Sequence, residues 1–305
     1  MKNCSGKNRP EMRNAHAVDA PVLDILSQDP VWAAYAIADL RPDLARHCRW
    51  RVAPDASGLA LLYFGLVPPV LLTAGSPAGV AAALTGADLP EELFLSILPS
   101  HLPAVEQHYQ QVVPQKMVRM VLTQGRQVPA PGQPVRRLAR TDECRLKALY
   151  RHGGDYAPDA FDPCQLEDGY FFGIENGDGT LAAAGGTHVA FRTESPSPTT
   201  ANSNPSRYLS PVDATVSQGV AAIGNIYTRP DCRGMGYGSA VTSSISRALQ
   251  EDGFRVIVLN VDEQNLVARS IYEKLGFDVH CLFFEGLARK VRLPTIANSG
   301  RLASI

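Results

Sequence analysis

Closely spaced cysteines and metal-ligand motifs are absent from this sequence of 305 residues. Its six cysteines are far apart, none belongs to a Cys-x-x-Cys pair, and no histidine stands at metal-ligand spacing from any of them. This pattern disfavours both a zinc site and a disulfide framework, so we expect no metal cofactor. The cysteines are Cys4, Cys48, Cys144, Cys164, Cys232 and Cys281.

A strong charge of either sign and long apolar runs are also absent. The formal net charge is -1, which gives no field to attract a polyanion, so we expect no nucleic-acid partner. No stretch is long and apolar enough to span a bilayer, and the polar start from Met1 to Arg13 is not typical of a secretory signal. We therefore expect a cytoplasmic protein without a membrane partner. The apolar share of 45% is enough for a sizeable core.

Prolines and polar runs predict how the chain is divided. The stretch from Arg126 to Pro134 contains three prolines and a glycine, which is typical of a linker. Residues 192–218 are rich in Ser, Pro, Thr and Asn and have few large apolar side chains, so we expect a mobile loop there. The predicted units are a disordered tail 1–17, an N-terminal α/β domain 18–125, a linker 126–134, a second domain 135–292 and a tail 293–305.

The pattern of apolar residues is most definite in the last third of the chain. Short apolar runs predict strands, and apolar side chains at helical spacing predict helices. Residues 18–125 also alternate between strand-like and helix-like runs, but they contain no catalytic motif. The predicted order in the last third is strand Val220–Thr228, helix Met235–Glu251, strand Arg255–Val261, helix Asn265–Leu275 closed by Gly276, and strand Phe277–Phe284.

A glycine-rich segment lies between the first of these strands and the helix that follows. Residues 233–238 read RGMGYG, and the three glycines leave backbone N–H groups open to a ligand. The start of the helix adds unpaired N–H groups and the positive end of the helix dipole, and Arg233 adds a fixed positive charge. This combination predicts a site for a pyrophosphate group. A flexible turn whose glycines serve only packing is the alternative.

Two other phosphate-binding motifs fit the segment less well. A P-loop needs Gly-Lys-Ser/Thr at its end, and residues 238–240 read GSA without a lysine. A dinucleotide-binding motif needs a third glycine, at a position where Ser239 or Val241 stands instead. That motif also follows its strand tightly, whereas residues 229–233 separate the strand from the glycines here. Asp262 nevertheless lies near the place expected for the acidic residue of a dinucleotide site.

The wider segment resembles the acyl-CoA signature of the GNAT superfamily of acyltransferases. That signature, Arg/Gln-x-x-Gly-x-Gly/Ala, is met by Arg233, Gly236 and Gly238. Residues 265–277, NLVARSIYEKLGF, resemble the second GNAT motif. The resemblance covers residues 134–290, and the upstream half is similar to the N-terminal domain of two-domain members related to the glycine N-acyltransferase-like group.

The resemblance implies a GNAT fold: an α/β fold whose mixed central sheet has splayed strands and is flanked by helices. It implies a second, GNAT-like α/β domain before it that lacks the acyl-CoA signature. It also implies acetyl-CoA or another acyl-CoA as cosubstrate, with pantetheine between the splayed strands and pyrophosphate on the glycine loop. An asparagine at the start of a helix is also an ordinary N-cap, so Asn265 has two compatible explanations. The implied cofactor-binding residues are Ile226, Tyr227, Thr228, Arg233, Gly234, Met235, Gly236, Tyr237, Gly238, Ser239 and Asn265.

The resemblance and the chemistry of acyl transfer select two candidate catalytic residues. Tyr272 matches the tyrosine that protonates the leaving CoA thiolate, although it also lies on an apolar helix face and could belong to the core. Many relatives have a glutamate base on the strand before the glycine loop, but residues 222–226 read AIGNI and contain no carboxylate. His188 is the candidate base instead, because the ordinary pKa of histidine suits the role. A structural histidine is the alternative.

The predicted activity is transfer of an acyl group from acyl-CoA to a primary amine of a small molecule, an amino acid or a peptide, by direct attack in a ternary complex. A non-catalytic acyl-CoA-binding sensor is one alternative, and a dinucleotide-dependent oxidoreductase is a second that the motifs favour less. We expect a monomer or a homodimer. Aromatic residues that could line the acceptor pocket are Tyr156, Phe161 and Tyr170.

Overall fold

The computed structural model describes residues 20–110, 114–154, 158, 161–167, 169–192 and 219–290. The predicted tails 1–17 and 293–305 and residues 193–218 of the predicted loop lie outside these ranges. The helices are α1 (Ala20–Gln28), α2 (Ala34–Ala38), α3 (Pro42–Ala45), α4 (Pro77–Leu84), α5 (Leu102–Glu106), α6 (Glu143–Gly153), α7 (Tyr237–Glu251) and α8 (Leu266–Leu275). The strands are β1 (Cys48–Val52), β2 (Gly58–Tyr63), β3 (Val70–Gly75), β4 (Glu92–Ile97), β5 (Tyr109–Gln110), β6 (Gln115–Leu122), β7 (Arg136–Arg137), β8 (Phe172–Glu175), β9 (Leu181–Phe191), β10 (Val220–Thr228), β11 (Val256–Asp262) and β12 (Phe277–Lys290).

The strands form one mixed sheet. Its order is β1-β2-β3-β4-β12-β6-β11-β10-β9-β8-β7, and β5 pairs with β12 beside this row. Among the described strands, neighbours run parallel where β3 lies beside β4 and where β10 lies beside β11, and a helix connects the two strands of each pair. Parallel neighbours need such a crossover connection. The predicted strand–helix–strand order around the glycine loop is therefore confirmed.

The helix after the glycine loop covers one face of the sheet. Val241, Ile245 and Leu249 of α7 are fully buried and, four residues apart, form a continuous apolar stripe. They pack in one apolar cluster with Ala221 and Ile223 of β10. None of the helices in the described ranges is long and apolar enough to cross a membrane.

The opposite face of the same strands is covered by the beginning of the chain. Side chains alternate between the faces of a strand, so Val220 and Ala222 point away from α7. They pack with Trp32 and Ile37, from the segment that contains α2. The strand β10 is therefore enclosed between α7 on one face and α2 on the other, and α2 brings residues of the N-terminal range to the second half of the protein.

The last strand of each half of the chain lies among the strands of the other half. β6 lies between β11 and β12, with Val121 opposite Val258. β12 pairs with β6 and then extends to β4, where Phe284 is opposite Ile97. The hydrogen-bonded sheet therefore continues through both predicted domains, and each half depends on the other for a strand.

Candidate active site

The glycine loop joins β10 to α7. After a short turn at Pro230–Cys232, the chain enters the helix through Gly234 and Gly236, which both have a φ of 78°. This left-handed conformation is unfavourable for residues that carry a Cβ atom. A Cβ added at either glycine would meet no atom of the described residues within 4 Å. The glycines therefore serve the backbone conformation and leave the space over the loop open, which argues against a role in packing.

The start of α7 presents backbone donors to this open space. The N–H of Ala240 is the first to bond backward along the helix, to the carbonyl oxygen of Gly236 at 3.0 Å. The N–H groups of residues 237–239 consequently have no partner within the helix. Together with the positive end of the helix dipole, they form a site that favours an anion.

Arg233 supplies positive charge beside these donors. Its side chain is exposed, and Nε donates to the carbonyl oxygen of Thr228 at 3.4 Å, which holds the guanidinium near the end of β10. Arg229, four residues earlier, is instead paired with Asp231 at 2.8 Å. Arg233 forms no ion pair with any residue that the structure describes, so its charge remains available to an anion on the loop.

The predicted linker forms one wall of a cleft beside the loop. Residues 129–133 face Met235, Ser243 and Leu275 across a cleft of about 270 Å³. Nε2 of Gln133 donates to the carbonyl oxygen of Met235 at 3.2 Å, and the hydroxyl of Ser243 donates to the carbonyl oxygen of Pro129. The linker is thus bonded both to the glycine loop and to α7, and it borders the cleft beside the loop.

β10 and β11 separate just before the loop. Their parallel pairing joins Val220–Ile223 to Val256–Leu259 and then stops. β10 continues to Thr228 with β9 as its neighbour on the other side. From Gly224 onward, the edge of β10 that faces β11 therefore has no partner among the described strands. This observation confirms the splayed strands that the resemblance implied.

The three residues expected to pair with pantetheine lie on this unpaired part of β10. Ile226 is half-buried and packs against the apolar cluster under α7. Tyr227 is buried on the α6 side, with its hydroxyl 3.5 Å from Nδ1 of His152. Thr228 is half-buried beside Gly238 at the start of α7. Their side chains have partners in the fold, so their backbone groups are the part that a ligand can use.

The second motif forms α8. Asn265 is its N-cap, because Oδ1 accepts the N–H of Ala268 at 3.1 Å. Tyr272 is half-buried, with its ring edge-on to Phe277 at 6.2 Å between centroids. Its hydroxyl has no hydrogen-bond partner among the described residues. Burial raises the pKa of Tyr272 to about 12, so the phenol is protonated at neutral pH and has a proton to donate.

His188 lies where β10 and β11 separate. On β9, His188 is inserted between Thr187 and Val189, the residues that pair with Ile223 and Ala222 of β10, and this insertion is a β-bulge. The imidazole of His188 lies against Gly224. A Cβ added at Gly224 would be within 2.6 Å of three atoms of the ring. Nδ1 of His188 is 3.0 Å from the hydroxyl of Tyr35 on α2. The guanidinium of buried Arg119 lies 5.1 Å from the centre of the Tyr35 ring.

Sequence analysis did not identify two residues at this place, Tyr35 and Asn225. Tyr35 has no local signal, because its partner His188 lies 153 positions away in the chain. Asn225 is buried in a bulge of β10 with a φ of 54°, and its carbonyl oxygen accepts the hydroxyl of Tyr150 at 2.7 Å. A polar residue inside the apolar run AIGNI is a signal that could have drawn attention to Asn225.

Two of the three aromatic residues expected at the acceptor pocket lie in the described ranges, and these two lie apart. Tyr156 lies outside the described residues. Phe161 packs edge-on against Tyr150, at 5.5 Å between ring centroids, in the apolar cluster under α6. The hydroxyl of Tyr170 donates to Asp252 at 2.7 Å, at the C-terminal end of α7. Tyr170 is therefore separated from the glycine loop by the whole length of α7. Of the two described residues, Phe161 is the one on the side of β10 that carries Asn225 and Tyr150.

Comparison with known proteins identifies the fold. Residues 139–277 match the model of the acetyltransferase (GNAT) family. A putative GNAT acetyltransferase from Novosphingobium aromaticivorans aligns with a TM-score of 0.53 and 19% identity, covering 90% of this chain and 100% of that one. A GCN5-related N-acetyltransferase from Kribbella flavida aligns with a TM-score of 0.55 and 19% identity, covering 84% and 95%. At these identities the likeness shows the fold alone.

Curated proteins match a shorter part of the chain. A mycothiol acetyltransferase from Arthrobacter sp. (strain FB24) is 40% identical over 62 residues, which is 19% of this chain and 19% of that protein. A mycothiol acetyltransferase from Streptomyces avermitilis is 41% identical over 61 residues, which is 19% and 20%. The chain thus matches about a fifth of the length of these relatives. The family match and the fold agree: residues 139–277 match the acetyltransferase (GNAT) family, and the described residues have the fold of GNAT acetyltransferases.

Proposed function

We propose that this enzyme transfers an acetyl or other short acyl group from acyl-CoA to a primary amine of a small molecule, an amino acid or a peptide. The neutral amine attacks the thioester carbonyl carbon in a ternary complex, so that a C–N bond forms and the C–S bond breaks. The observation that carries the proposal is the open glycine loop at the end of a strand whose neighbour has separated from it.

The two parts of this surface fit the two polar parts of acyl-CoA. The N–H groups of residues 237–239 and the charge of Arg233 suit a pyrophosphate. The unpaired edge of β10 over residues 224–228 suits the amides of pantetheine, which can hydrogen-bond to it as a strand would. Acetyl-CoA is the donor that the GNAT family uses, and we adopt it for this chain.

The proton transfers have two candidate groups, His188 on β9 and Tyr272 on α8. His188 would accept the proton that the amine loses, with its imidazole fixed between Gly224 and the hydroxyl of Tyr35. Tyr272 would donate a proton to the thiolate, because its raised pKa keeps the phenol protonated. The N-terminal range therefore contributes to the site through Tyr35, a positioning residue that acts on His188.

The proposed acceptor is a class of molecule, primary amines, and not one named compound. GNAT acetyltransferases act on amines, and the relatives named mycothiol acetyltransferases support acetyl as the acyl group. Their match covers too little of the chain to transfer their acceptor to this protein. We also propose that residues 18–125 are similar to the N-terminal domain of the glycine N-acyltransferase-like group. A cytoplasmic location is proposed as well.

In the N-terminal half, β3 and β4 also separate, as β10 and β11 do, but side chains fill the gap between them. β3 pairs in parallel with β4 over Val70–Leu72 and then continues without it. Beyond that point, Nε1 of Trp32 donates to the carbonyl oxygen of Thr73 at 2.8 Å, and Nε2 of His101 is 3.0 Å from the carbonyl oxygen of Gly75. The backbone groups that a pantetheine would need are therefore already paired. We expect one acyl-CoA to bind per chain.

The proposal is tested by measuring acetyl-CoA consumption with a panel of amines: glycine, glycylglycine, glucosamine and spermidine. Release of CoA that depends on one of these amines, with the acetylated product identified by mass spectrometry, is the expected result. Tyr170→Phe should retain the activity, because its hydroxyl lies at the far end of α7. Binding of acetyl-CoA without transfer to any amine would contradict the proposed activity and favour a sensor.

A further inference from the structure

We infer that the side-chain oxygen of Asn225 accepts one N–H of the amine and thereby orients the nitrogen lone pair towards the thioester. The inference rests on the proposed function and names a recognition residue for its acceptor. The hydrogen bonds around the side-chain amide of Asn225 determine its orientation.

The orientation follows from Gln165, whose own amide is fixed by two backbone groups. Nε2 of Gln165 donates to the carbonyl oxygen of His188 at 3.2 Å, and Oε1 accepts the N–H of Asp162 at 3.2 Å. A carbonyl can only accept and an N–H can only donate, so the two ends of the Gln165 amide cannot be exchanged. The group of Asn225 that lies 3.0 Å from Oε1 must then be its NH₂.

The Oδ1 atom of Asn225 is consequently turned away from Gln165. It is buried and has no hydrogen-bond partner among the residues that the structure describes. Buried polar atoms nearly always have a partner, so this amide oxygen is an acceptor that a donor from outside the described residues would satisfy. The backbone of Asn225 is also fixed, because its carbonyl oxygen accepts a hydrogen bond from the hydroxyl of Tyr150 at 2.7 Å.

The position of Asn225 indicates which hydrogen-bond donor could reach its side-chain oxygen. It follows Gly224, the residue against which the imidazole of His188 lies, on the part of β10 that β11 has left. A neutral primary amine has two N–H bonds and one lone pair. One N–H bonded to Asn225 and the other to His188 would leave the lone pair as the only group free for attack. Asn225 is neutral and takes no proton, so it orients the amine while His188 accepts the proton.

This arrangement predicts a preference for primary over secondary amines. An N-methylated acceptor has one N–H and can satisfy Asn225 or His188, but not both. The experiment compares the fastest amine of the panel with its N-methyl derivative, for example glycine with sarcosine. The measured quantity is the ratio of their kcat/KM values for the wild type and for Asn225→Ala and Asn225→Asp.

The wild type should prefer the primary amine at least tenfold, and Asn225→Ala should lose most of that preference while its Kd for acetyl-CoA is unchanged. Asn225→Asp retains an acceptor oxygen and tolerates the left-handed backbone, so it should keep the preference if the alanine variant folds poorly. Ser246→Ala is the matched control, because it removes another buried, unpartnered oxygen, on α7, and should retain the wild-type ratio.

Three outcomes would overturn the inference. An unchanged preference in a folded Asn225→Ala would mean that Asn225 does not contact the amine. A weakened Kd for acetyl-CoA in that variant would assign Asn225 to pantetheine instead. Absence of transfer to any amine by the wild type would overturn the proposed function itself, and this inference with it.

Discussion

Gly224→Ala gives the sharpest test of the position of His188, at the point where β10 and β11 separate. The methyl group would be within 2.6 Å of three atoms of the His188 ring. Carbon atoms in contact are normally about 3.5–4.0 Å apart, so the imidazole would have to move by about 1 Å. That movement is enough to weaken its 3.0 Å hydrogen bond to Tyr35. The substitution thus displaces the candidate base without changing any polar group.

The expected effect is on the chemical step. Misplacement of a catalytic group by about 1 Å can reduce the rate by about 10²-fold, which corresponds to about 2.7 kcal/mol in activation free energy. We therefore expect kcat for the amine to fall by about this factor. The Kd for acetyl-CoA, measured by calorimetry, should stay the same, because the added methyl group leaves the backbone edge of residues 224–228 and the glycine loop unchanged.

The control is Gly177→Ala, in the turn between β8 and β9, where an added Cβ meets no atom within 4 Å. It should keep the wild-type kcat. Thermal unfolding of both variants separates a local effect from a loss of the folded protein. Wild-type kcat in a folded Gly224→Ala would refute the catalytic assignment of His188, because a displaced base cannot retain its full effect.

Three further predictions address single groups. Tyr272→Phe should reduce kcat about 10²-fold or more, if the phenol donates the proton to the thiolate, while Tyr170→Phe should have no effect; steady-state kinetics decide, and equal rates for the two variants would exclude Tyr272 as the acid. Tyr35→Phe should shift the acidic limb of the pH profile of kcat/KM, because His188 loses a hydrogen bond at Nδ1; an unchanged profile would contradict its role as a positioning residue. Burial raises the pKa of Asp39 to about 7, above its ordinary value of 3.8, so its charge opposes folding increasingly as pH rises between these values. Asp39→Asn should therefore raise the free energy of unfolding more at pH 8 than at pH 5 in urea titrations, and an equal gain at both pH values would show that Asp39 titrates normally.

The parts of the site that could be predicted from the sequence are those determined by residues that are close together in the chain. Left-handed glycines at Gly234 and Gly236 and the side-chain cap at Asn265 depend on residues only a few positions away. The same holds for the helix stop at Gly276, whose φ is 104°. Such features are determined by backbone sterics and by nearby donors and acceptors, so a short stretch of sequence is sufficient to predict them.

The parts that could not be predicted depend on contacts between distant segments. Periodicity predicts that β6 and β12 are strands, but not that each would join the strands of the other half. The contact of Tyr35 with His188 exists only because α2 covers β10. Tyr170 was expected near the acceptor, and its hydroxyl is bonded to Asp252 instead. Choosing a partner among many similar strands and helices requires the energy of the whole fold.

Removal of residues 1–125 would expose edges of the central sheet. It would remove β6 from between β11 and β12 and leave two strand edges unpaired. It would also remove Tyr35 from His188. We expect the remaining chain to aggregate, because exposed strand edges promote association. Size-exclusion chromatography would test this, and a soluble fragment with full activity would contradict the contribution of the N-terminal half.

Calorimetric titration with acetyl-CoA tests the central claim most directly, namely that the glycine loop binds the acyl donor. The wild type should bind one acetyl-CoA per chain, and Arg233→Glu should weaken the affinity at least tenfold, because it replaces the exposed cation of the loop by an anion. Arg289→Glu, the same charge change at an exposed position on β12, should bind like the wild type. Equal affinity of wild type and Arg233→Glu, or no binding by the wild type, would contradict the assignment of the acyl-CoA site.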